Sequence, residues 1–85
     1  MADIIIYTKD HCPYCVKAKQ LFKIKKQEFT EKDIGKDEAA RDEMQSKAPN
    51  ARTVPQIFIG DTHVGGCDDL YALNDSGALD ALLAS

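Results

Sequence analysis

The chain has 85 residues, close to the lower limit for an independently folding unit, so a single domain spanning residues 1–85 is expected. A hydrophobic fraction of 44% supports a core, and a charged fraction of 29% supplies a polar surface. The net charge of −3 argues against nucleic acid or an acidic membrane as a partner. No apolar run approaches the roughly 20 residues of a spanning helix, and the N-terminal one lacks the basic flank of a signal peptide, so a cytoplasmic location is expected.

The first half of the chain predicts two strands, each followed by a helix. The β-branched run at residues 3–7 predicts a strand buried on both faces, and residues 27–34 predict a second, more exposed strand. A helix is expected between them from about Pro13 to Lys25, which makes the strands parallel neighbours. Asp37 fits the N-cap of a polar helix that ends near residue 47. The apolar positions of the two helices are Cys15, Ala18, Leu21, Phe22, Ala40 and Met44.

The second half predicts a hairpin and a last helix. Residues 54–59 predict a strand, and Gly60-Asp61 is a two-residue hairpin signal in which Gly suits the first position of a type II′ turn. Residues 62–64 should therefore return antiparallel. A helix capped by Cys67 or Asp68 follows, and Gly77 interrupts it before a terminal apolar turn. The order βαβαββα predicts an α/β domain with a four-stranded mixed sheet flanked by helices.

Two cysteines lie where the first strand is followed by the first helix. Cys12 is at the exposed start of that helix, where unpaired N–H groups and the helix dipole favour a thiolate, and Lys9 adds positive charge. Pro13 fits the first turn because its missing N–H would have no intrahelical partner there. Cys15 falls on the apolar stripe one turn later, where burial disfavours a thiolate. This spacing predicts thiol–disulfide chemistry, with Cys12 as nucleophile and Cys15 as the resolving thiol.

The residues alone leave two other uses of the pair open. A zinc site usually takes four Cys or His ligands, so Cys67, His11 or His63 would have to converge on the single pair, and no metal is expected. The pair could instead consist of structural core cysteines, although Pro13 and Lys9 fit that use poorly. Both histidines are expected to be solvated.

Three motifs together resemble one known family. The chain carries Cys-Pro-Tyr-Cys at 12–15, Thr-Val-Pro at 53–55 and Gly-Gly-Cys-Asp-Asp at 65–69. In this order and spacing they resemble the signatures of dithiol glutaredoxins, particularly the small bacterial glutaredoxin 3 type, and the similarity covers nearly the whole chain. The resemblance implies the thioredoxin fold and glutathione-dependent reduction of protein disulfides and glutathione mixed disulfides. It also implies a redox couple of roughly −200 to −230 mV, which the glutathione pool can reduce.

The Thr-Val-Pro motif is a candidate site for the cysteinyl part of glutathione. Val54 precedes a proline and is therefore pushed toward an extended conformation, so its backbone can pair with the ligand like an added strand. The resemblance implies that Pro55 is cis, which would place Thr53 and Val54 beside Cys12. On the residues alone, a trans proline at the start of the strand is the alternative.

The third motif opens a helix and is a candidate anion site for the γ-glutamyl carboxylate, through Gly66 and Cys67. The resemblance implies that Asp68 takes the amine of glutathione. Asp68 and Asp69 can alternatively act as helix caps. Cys67 is expected to be a small buried residue that contributes its backbone N–H, and a regulatory thiol is the alternative.

Four further side chains are candidates around the sulfur. Lys9 and Arg41 are candidates for the glycine carboxylate of glutathione, and Tyr14 for a wall over the reacting sulfur. Arg52 is another basic residue beside the expected groove, although an ordinary surface role suits it better.

The resemblance also implies competing functions and partners. Some glutaredoxins hold a [2Fe–2S] cluster between two subunits with glutathione as a ligand, but Pro13-Tyr14 differs from the motifs usual in those proteins. Another class of redoxins is reduced by a flavoprotein, and the Gly-Gly-Cys-Asp-Asp motif favours glutathione instead. The expected partners are glutathione and glutathionylated or disulfide-containing proteins, with ribonucleotide reductase as one candidate, and the chain is expected to be a monomer.

Overall fold

Residues 3–84, the part of the chain described by a computed structural model, form four strands and four helices in the order βαβαββαα. The strands are β1 (Ile4–Thr8), β2 (Thr30–Asp33), β3 (Gln56–Ile59) and β4 (Thr62–Gly65). The helices are α1 (Pro13–Ile24), α2 (Glu38–Lys47), α3 (Cys67–Ser76) and α4 (Ala78–Ala84).

The strands form one mixed sheet in the order β2-β1-β3-β4. β1 pairs in parallel with β2, antiparallel β3 lies on its other side, and β4 pairs antiparallel with β3. The predicted four-stranded mixed sheet is therefore confirmed. Because Tyr7 near the end of β1 faces Gln56 at the start of β3, the segments that follow β1 and precede β3 lie at the same end of the sheet.

Side-chain alternation along the central strands builds a core on each face of the sheet. Ile4 and Ile6 of β1 point with Ile57 and Ile59 of β3 toward α1, α3 and α4. On the other face, an aromatic pair from β1 and β3 packs under α2. The residues of that second cluster are Tyr7, Ile34, Ala40, Met44, Ala48 and Phe58.

Two strands are shorter than predicted, and local hydrogen bonding explains both differences. Lys26 adopts a left-handed φ of 59°, and the Gln27 N–H donates to the Phe22 carbonyl at 2.9 Å. Lys26 and Gln27 therefore belong to the turn that ends α1 and are not part of β2. β3 starts at Gln56 because the preceding Pro55 has no N–H to donate to a ladder.

The hairpin prediction is confirmed, whereas the last helix differs from expectation. Gly60 has a φ of 58°, and Ile59 pairs with Thr62 across the two-residue turn. Gly66, not Cys67 or Asp68, is the N-cap of the last predicted helix. Left-handed Gly77 ends that helix, and the expected terminal turn is a separate helix, α4.

Candidate active site

Cys12 and Cys15 are joined as a disulfide at the start of α1, with their Cα atoms 5.2 Å apart. Cys12 is the N-cap residue in extended conformation, and its Sγ accepts a hydrogen bond from the Cys15 N–H at 3.2 Å. The first turn begins with Pro13 and contains no acidic residue. The first turn of the helix therefore presents a backbone donor and no acidic side chain of its own to the sulfur, conditions that favour a thiolate.

The two sulfurs differ in exposure, as the sequence predicts. Cys15 is 2% exposed and packs on the buried side of α1, whereas Cys12 is only partly buried. A disulfide in solution can therefore reach the Cys12 sulfur, whereas the buried Cys15 sulfur can reach only its neighbour Cys12.

The Thr-Val-Pro segment lies against this cysteine. The Val54–Pro55 peptide bond is cis, as the resemblance implied, and the Val54 carbonyl oxygen lies 3.8 Å from the Cys12 Sγ. Thr53 is exposed and Pro55 is buried, and all three residues of the segment line the groove described below.

The Gly-Gly-Cys-Asp-Asp segment turns from β4 into α3. Asp69 accepts a hydrogen bond from the Gly66 N–H through its Oδ2 at 3.0 Å, so it caps its own helix, the alternative role predicted for it. The next N–H groups, those of Cys67 and Asp68, belong to the first turn and have no intrahelical acceptor. They are therefore the donors that α3 offers to a bound anion.

One groove of about 450 Å³ collects most of the predicted glutathione residues. Its walls come from Tyr14 on α1, from the segment before β3 and from the start of α3. Tyr14 is 60% exposed, which leaves its ring free to cover a ligand. The lining residues are Tyr14, Thr53, Val54, Pro55, Gln56, Gly65, Gly66, Cys67, Asp68 and Asp69.

Three basic candidates, Lys9, Arg41 and Arg52, do not line this groove, and Arg52 is exposed. Lys9 lines a separate depression together with Cys12 and Cys15, so it flanks the disulfide. Arg41 lines a third depression with Gly35 and Gln45, away from the cysteines, and its contact with glutathione stays a prediction.

Gly65, the first residue of the Gly-Gly-Cys-Asp-Asp motif, also lines the groove, as does Gln56, which the sequence did not indicate. Gln56 is 6% exposed and is the first residue of β3. The sequence of a strand does not indicate which group a buried polar side chain will hydrogen-bond. The Thr-Val-Pro motif directly before Gln56 is the one signal that could have drawn attention to it.

Cys67 is 5% exposed and belongs to the core cluster beneath α1 and α3. Burial raises the pKa of its thiol, with Lys17 opposing that effect and Asp68 adding to it. A buried thiol of raised pKa is a poor nucleophile, which favours the backbone role predicted for Cys67 over a regulatory one.

Neither a metal group nor a spanning helix is found among residues 3–84. No cluster of three or more His, Cys, Asp or Glu side chains in that range could hold a metal ion. Within the same residues, every helix is too short or too polar to cross a bilayer.

The fold and the site together define a class of protein, a thioredoxin-like α/β domain with a redox-active Cys-x-x-Cys at the start of its first helix. Within that class, the family model described as Glutaredoxin matches residues 4–64. The chain belongs to the glutaredoxin family, whose members are thiol–disulfide oxidoreductases that use glutathione.

Individual relatives agree with this assignment. Glutaredoxin 3 of Escherichia coli is 53% identical over 83 residues, which cover 98% of this chain and 99% of the relative. The solution structure of a Brucella melitensis glutaredoxin is 55% identical, with a TM-score of 0.82 over 98% of this chain and 89% of that one. A buckwheat glutaredoxin–glutathione complex is 27% identical, with a TM-score of 0.85 over 98% and 77% of the two chains.

Proposed function

We propose that this chain is a glutathione-dependent oxidoreductase that reduces glutathione mixed disulfides through Cys12 and protein disulfides through Cys12 and Cys15. The observation that carries the proposal is the groove, which joins the Cys-Pro-Tyr-Cys helix start to the Val54 backbone and the N-terminus of α3. Its volume and its backbone donors suit a tripeptide whose thiol must meet Cys12.

Each part of glutathione has a partner of matching chemistry in the groove or beside it. The Val54 backbone is available to the cysteinyl part, and the first N–H groups of α3 to the γ-glutamyl carboxylate. Asp68 is exposed and supplies a carboxylate for the γ-glutamyl amine. Lys9 is the nearer candidate for the glycine carboxylate because it flanks the cysteine pair.

The monothiol reaction needs Cys12 alone. Its thiolate attacks the glutathione sulfur of a mixed disulfide, forms the Cys12–glutathione disulfide and releases the client thiolate, which takes a proton. A second glutathione thiolate then attacks the bound glutathione sulfur, releases glutathione disulfide and regenerates the Cys12 thiolate. The donors at the start of α1 stabilise the sulfur each time it carries charge.

The dithiol reaction adds Cys15. The Cys12 thiolate attacks the client disulfide, forms a mixed disulfide with one client sulfur and releases the other as a thiolate. The Cys15 thiolate then attacks the Cys12 sulfur, closes the Cys12–Cys15 disulfide and releases the second client sulfur as a thiolate. Two glutathione molecules then reopen the disulfide. We expect the protein to do this as a cytoplasmic monomer on glutathionylated and disulfide-containing proteins, with ribonucleotide reductase as one candidate client.

The test is a coupled assay on Cys12→Ser and Cys15→Ser in parallel, with glutathione as reductant. Cys12→Ser should lose all turnover of a small glutathione mixed disulfide because no thiolate is left at the helix start. Cys15→Ser should keep that turnover and lose reduction of a protein disulfide. Full turnover of the mixed disulfide by Cys12→Ser would refute the proposal.

A further inference from the structure

Gln56 and His63 form a hydrogen-bonded pair that ends on the Thr-Val-Pro segment. The Gln56 Nε2 donates to the Thr53 carbonyl oxygen at 2.9 Å. Its Oε1 lies 2.7 Å from the His63 Nε2. His63 is exposed, as the sequence predicts, and this contact shows that its ring nevertheless has a fixed partner.

The direction of these bonds follows from the amide of Gln56. Since its NH₂ group donates to a carbonyl, its oxygen must be the atom that faces His63. The His63 Nε2 therefore carries a hydrogen and donates it. Both the Nε2–H tautomer and the imidazolium satisfy this requirement, so the pair persists in either charge state of the ring.

The His63 ring is itself held in place by stacking. It lies on Phe58 with ring centroids 4.6 Å apart and planes 15° from parallel. Phe58 is buried in the second core cluster, and the Lys47 Nζ lies 4.5 Å from its centroid. The pair is thus anchored to the sheet and not to a mobile side chain.

The carbonyl that Gln56 binds belongs to the same peptide unit as the Val54 N–H. A peptide unit is planar, so a hydrogen bond on the Thr53 oxygen also fixes the direction of the Val54 N–H. That N–H is the group available to the cysteinyl part of glutathione. The pair also ties β4 to the segment before β3, because its two hydrogen bonds link His63 through Gln56 to the Thr53 carbonyl.

We propose that Gln56 and His63 are positioning residues that aim the Val54 N–H at glutathione. The proposal rests on the proposed function, because it concerns the same groove. It assigns a role in the site to two residues that need not touch the reacting sulfurs. Loss of the His63 Nε2–H donor, or of the Gln56 amide, should weaken glutathione binding without changing the chemistry at Cys12.

Three variants separate the hydrogen bond from the stacking. His63→Phe keeps a ring on Phe58 and removes the donor, whereas His63→Gln keeps a donor and removes the ring. Gln56→Met keeps the length of the side chain and removes both bonds. Thr62→Val, an exposed neighbour on β4, is the control.

The kinetic readout is the KM for glutathione against kcat in the coupled assay. His63→Phe and Gln56→Met should raise KM about fivefold, with kcat within about twofold, as the loss of a hydrogen bond predicts. His63→Gln should recover most of that loss, and Thr62→Val should match wild type. The Val54 amide resonance of the ligand-free protein should move in His63→Phe and return toward its wild-type position in His63→Gln.

Two results would overturn the inference. One is an unchanged KM in both His63→Phe and Gln56→Met while wild type is active, which would leave the proposed function standing. The other is a His63→Phe variant that matches wild type while His63→Gln is impaired, which would make stacking on Phe58 the relevant contact. A wild-type protein inactive with glutathione would instead refute the proposed function, and this inference with it.

Discussion

At the scale of single residues, Gly65 has less room for a side chain than Gly66, the other glycine of the groove. Its φ is 112°, and a Cβ there would lie 2.3 Å from the Asp69 Oδ2. That oxygen already accepts the Gly66 N–H. A side chain at position 65 would therefore displace the cap of α3 at the point where the groove offers its anion donors.

We expect Gly65→Ala to cost more free energy of unfolding than Gly60→Ala. Gly60 also has a left-handed φ, 58°, but a Cβ there would meet nothing within 4 Å, so its alanine variant carries only the backbone penalty of about 1–2 kcal/mol. Gly65→Ala adds the loss of a helix cap, about 1 kcal/mol. Urea unfolding of both variants measures the difference, and equal losses would show that Asp69 moves aside without cost.

The residue scale also separates what sequence can predict from what it cannot. The helix-start position of Cys12 and the apolar position of Cys15 follow from local spacing, whereas the position of the Val54 backbone beside Cys12, 42 residues away in the chain, was implied only by the resemblance. The contact between Gln56 and His63 could not be predicted, since it crosses two strands and depends on a register shift.

At the scale of elements, α2 packs on one face of the sheet with few apolar side chains. Only Ala40 and Met44 are buried along it, so the helix depends on its ends more than α1 does. Asp37 supplies the N-cap, and its Oδ1 accepts from the Ala39 N–H at 3.0 Å and the Ala40 N–H at 3.3 Å.

Asp37→Ala should lower the free energy of unfolding by about 1 kcal/mol because these two N–H groups lose their acceptor. Asp37→Ser is the matched control, since a hydroxyl at the N-cap restores an acceptor. Thermal or urea denaturation of the two variants tests this. An Asp37→Ala variant as stable as wild type would mean that water replaces the carboxylate at no cost.

Elements with a strong period or turn signal were predictable, and their ends were not. α1, the Gly60-Asp61 hairpin and the four-stranded mixed sheet follow from spacing that is visible in the chain. The start of β2 was misplaced because Lys26 takes a left-handed conformation that a lysine rarely adopts. The cap of α3 was misplaced because Asp69 bonds back to Gly66, three residues earlier.

At the scale of the whole molecule, two carboxylates tie the edge strand β2 to the layers on either side. Glu31 of β2 accepts from Thr8 of β1 and from Lys19 of α1. On the opposite face, Glu43 of α2 accepts from Lys32 of β2 at 2.7 Å and from Tyr7 of β1. Each carboxylate thus connects three elements.

These contacts make stability depend on pH in the acid range. The Lys19 ammonium holds the pKa of Glu31 below its usual value, and the Lys32 ammonium does the same for Glu43, aided by the Tyr7 hydroxyl. A carboxyl whose pKa is lower in the folded state stabilises the fold above its unfolded pKa of about 4.3. That stability is lost as pH falls from there through the folded pKa.

We expect Glu43→Gln to weaken the acid dependence of the free energy of unfolding between about pH 5 and pH 2. A glutamine keeps an acceptor for Tyr7 and Lys32 but has no proton to gain. Urea unfolding at a series of pH values, with the exposed Glu38→Gln variant as control, measures the slope. An unchanged slope in Glu43→Gln would show that folding does not lower the pKa of Glu43, and that its contact with Lys32 contributes nothing to the acid dependence.

The hydrogen bond from the Cys15 N–H to the Cys12 sulfur has a consequence for how this protein can vary. Its donor is main chain, so replacing the Cys15 side chain leaves it in place, and among natural amino acids only proline at that position would remove it. The hydrogen bond on the Cys12 sulfur is therefore robust to mutation at position 15. We expect a variant of this protein that loses the second sulfur to retain this donor at the first.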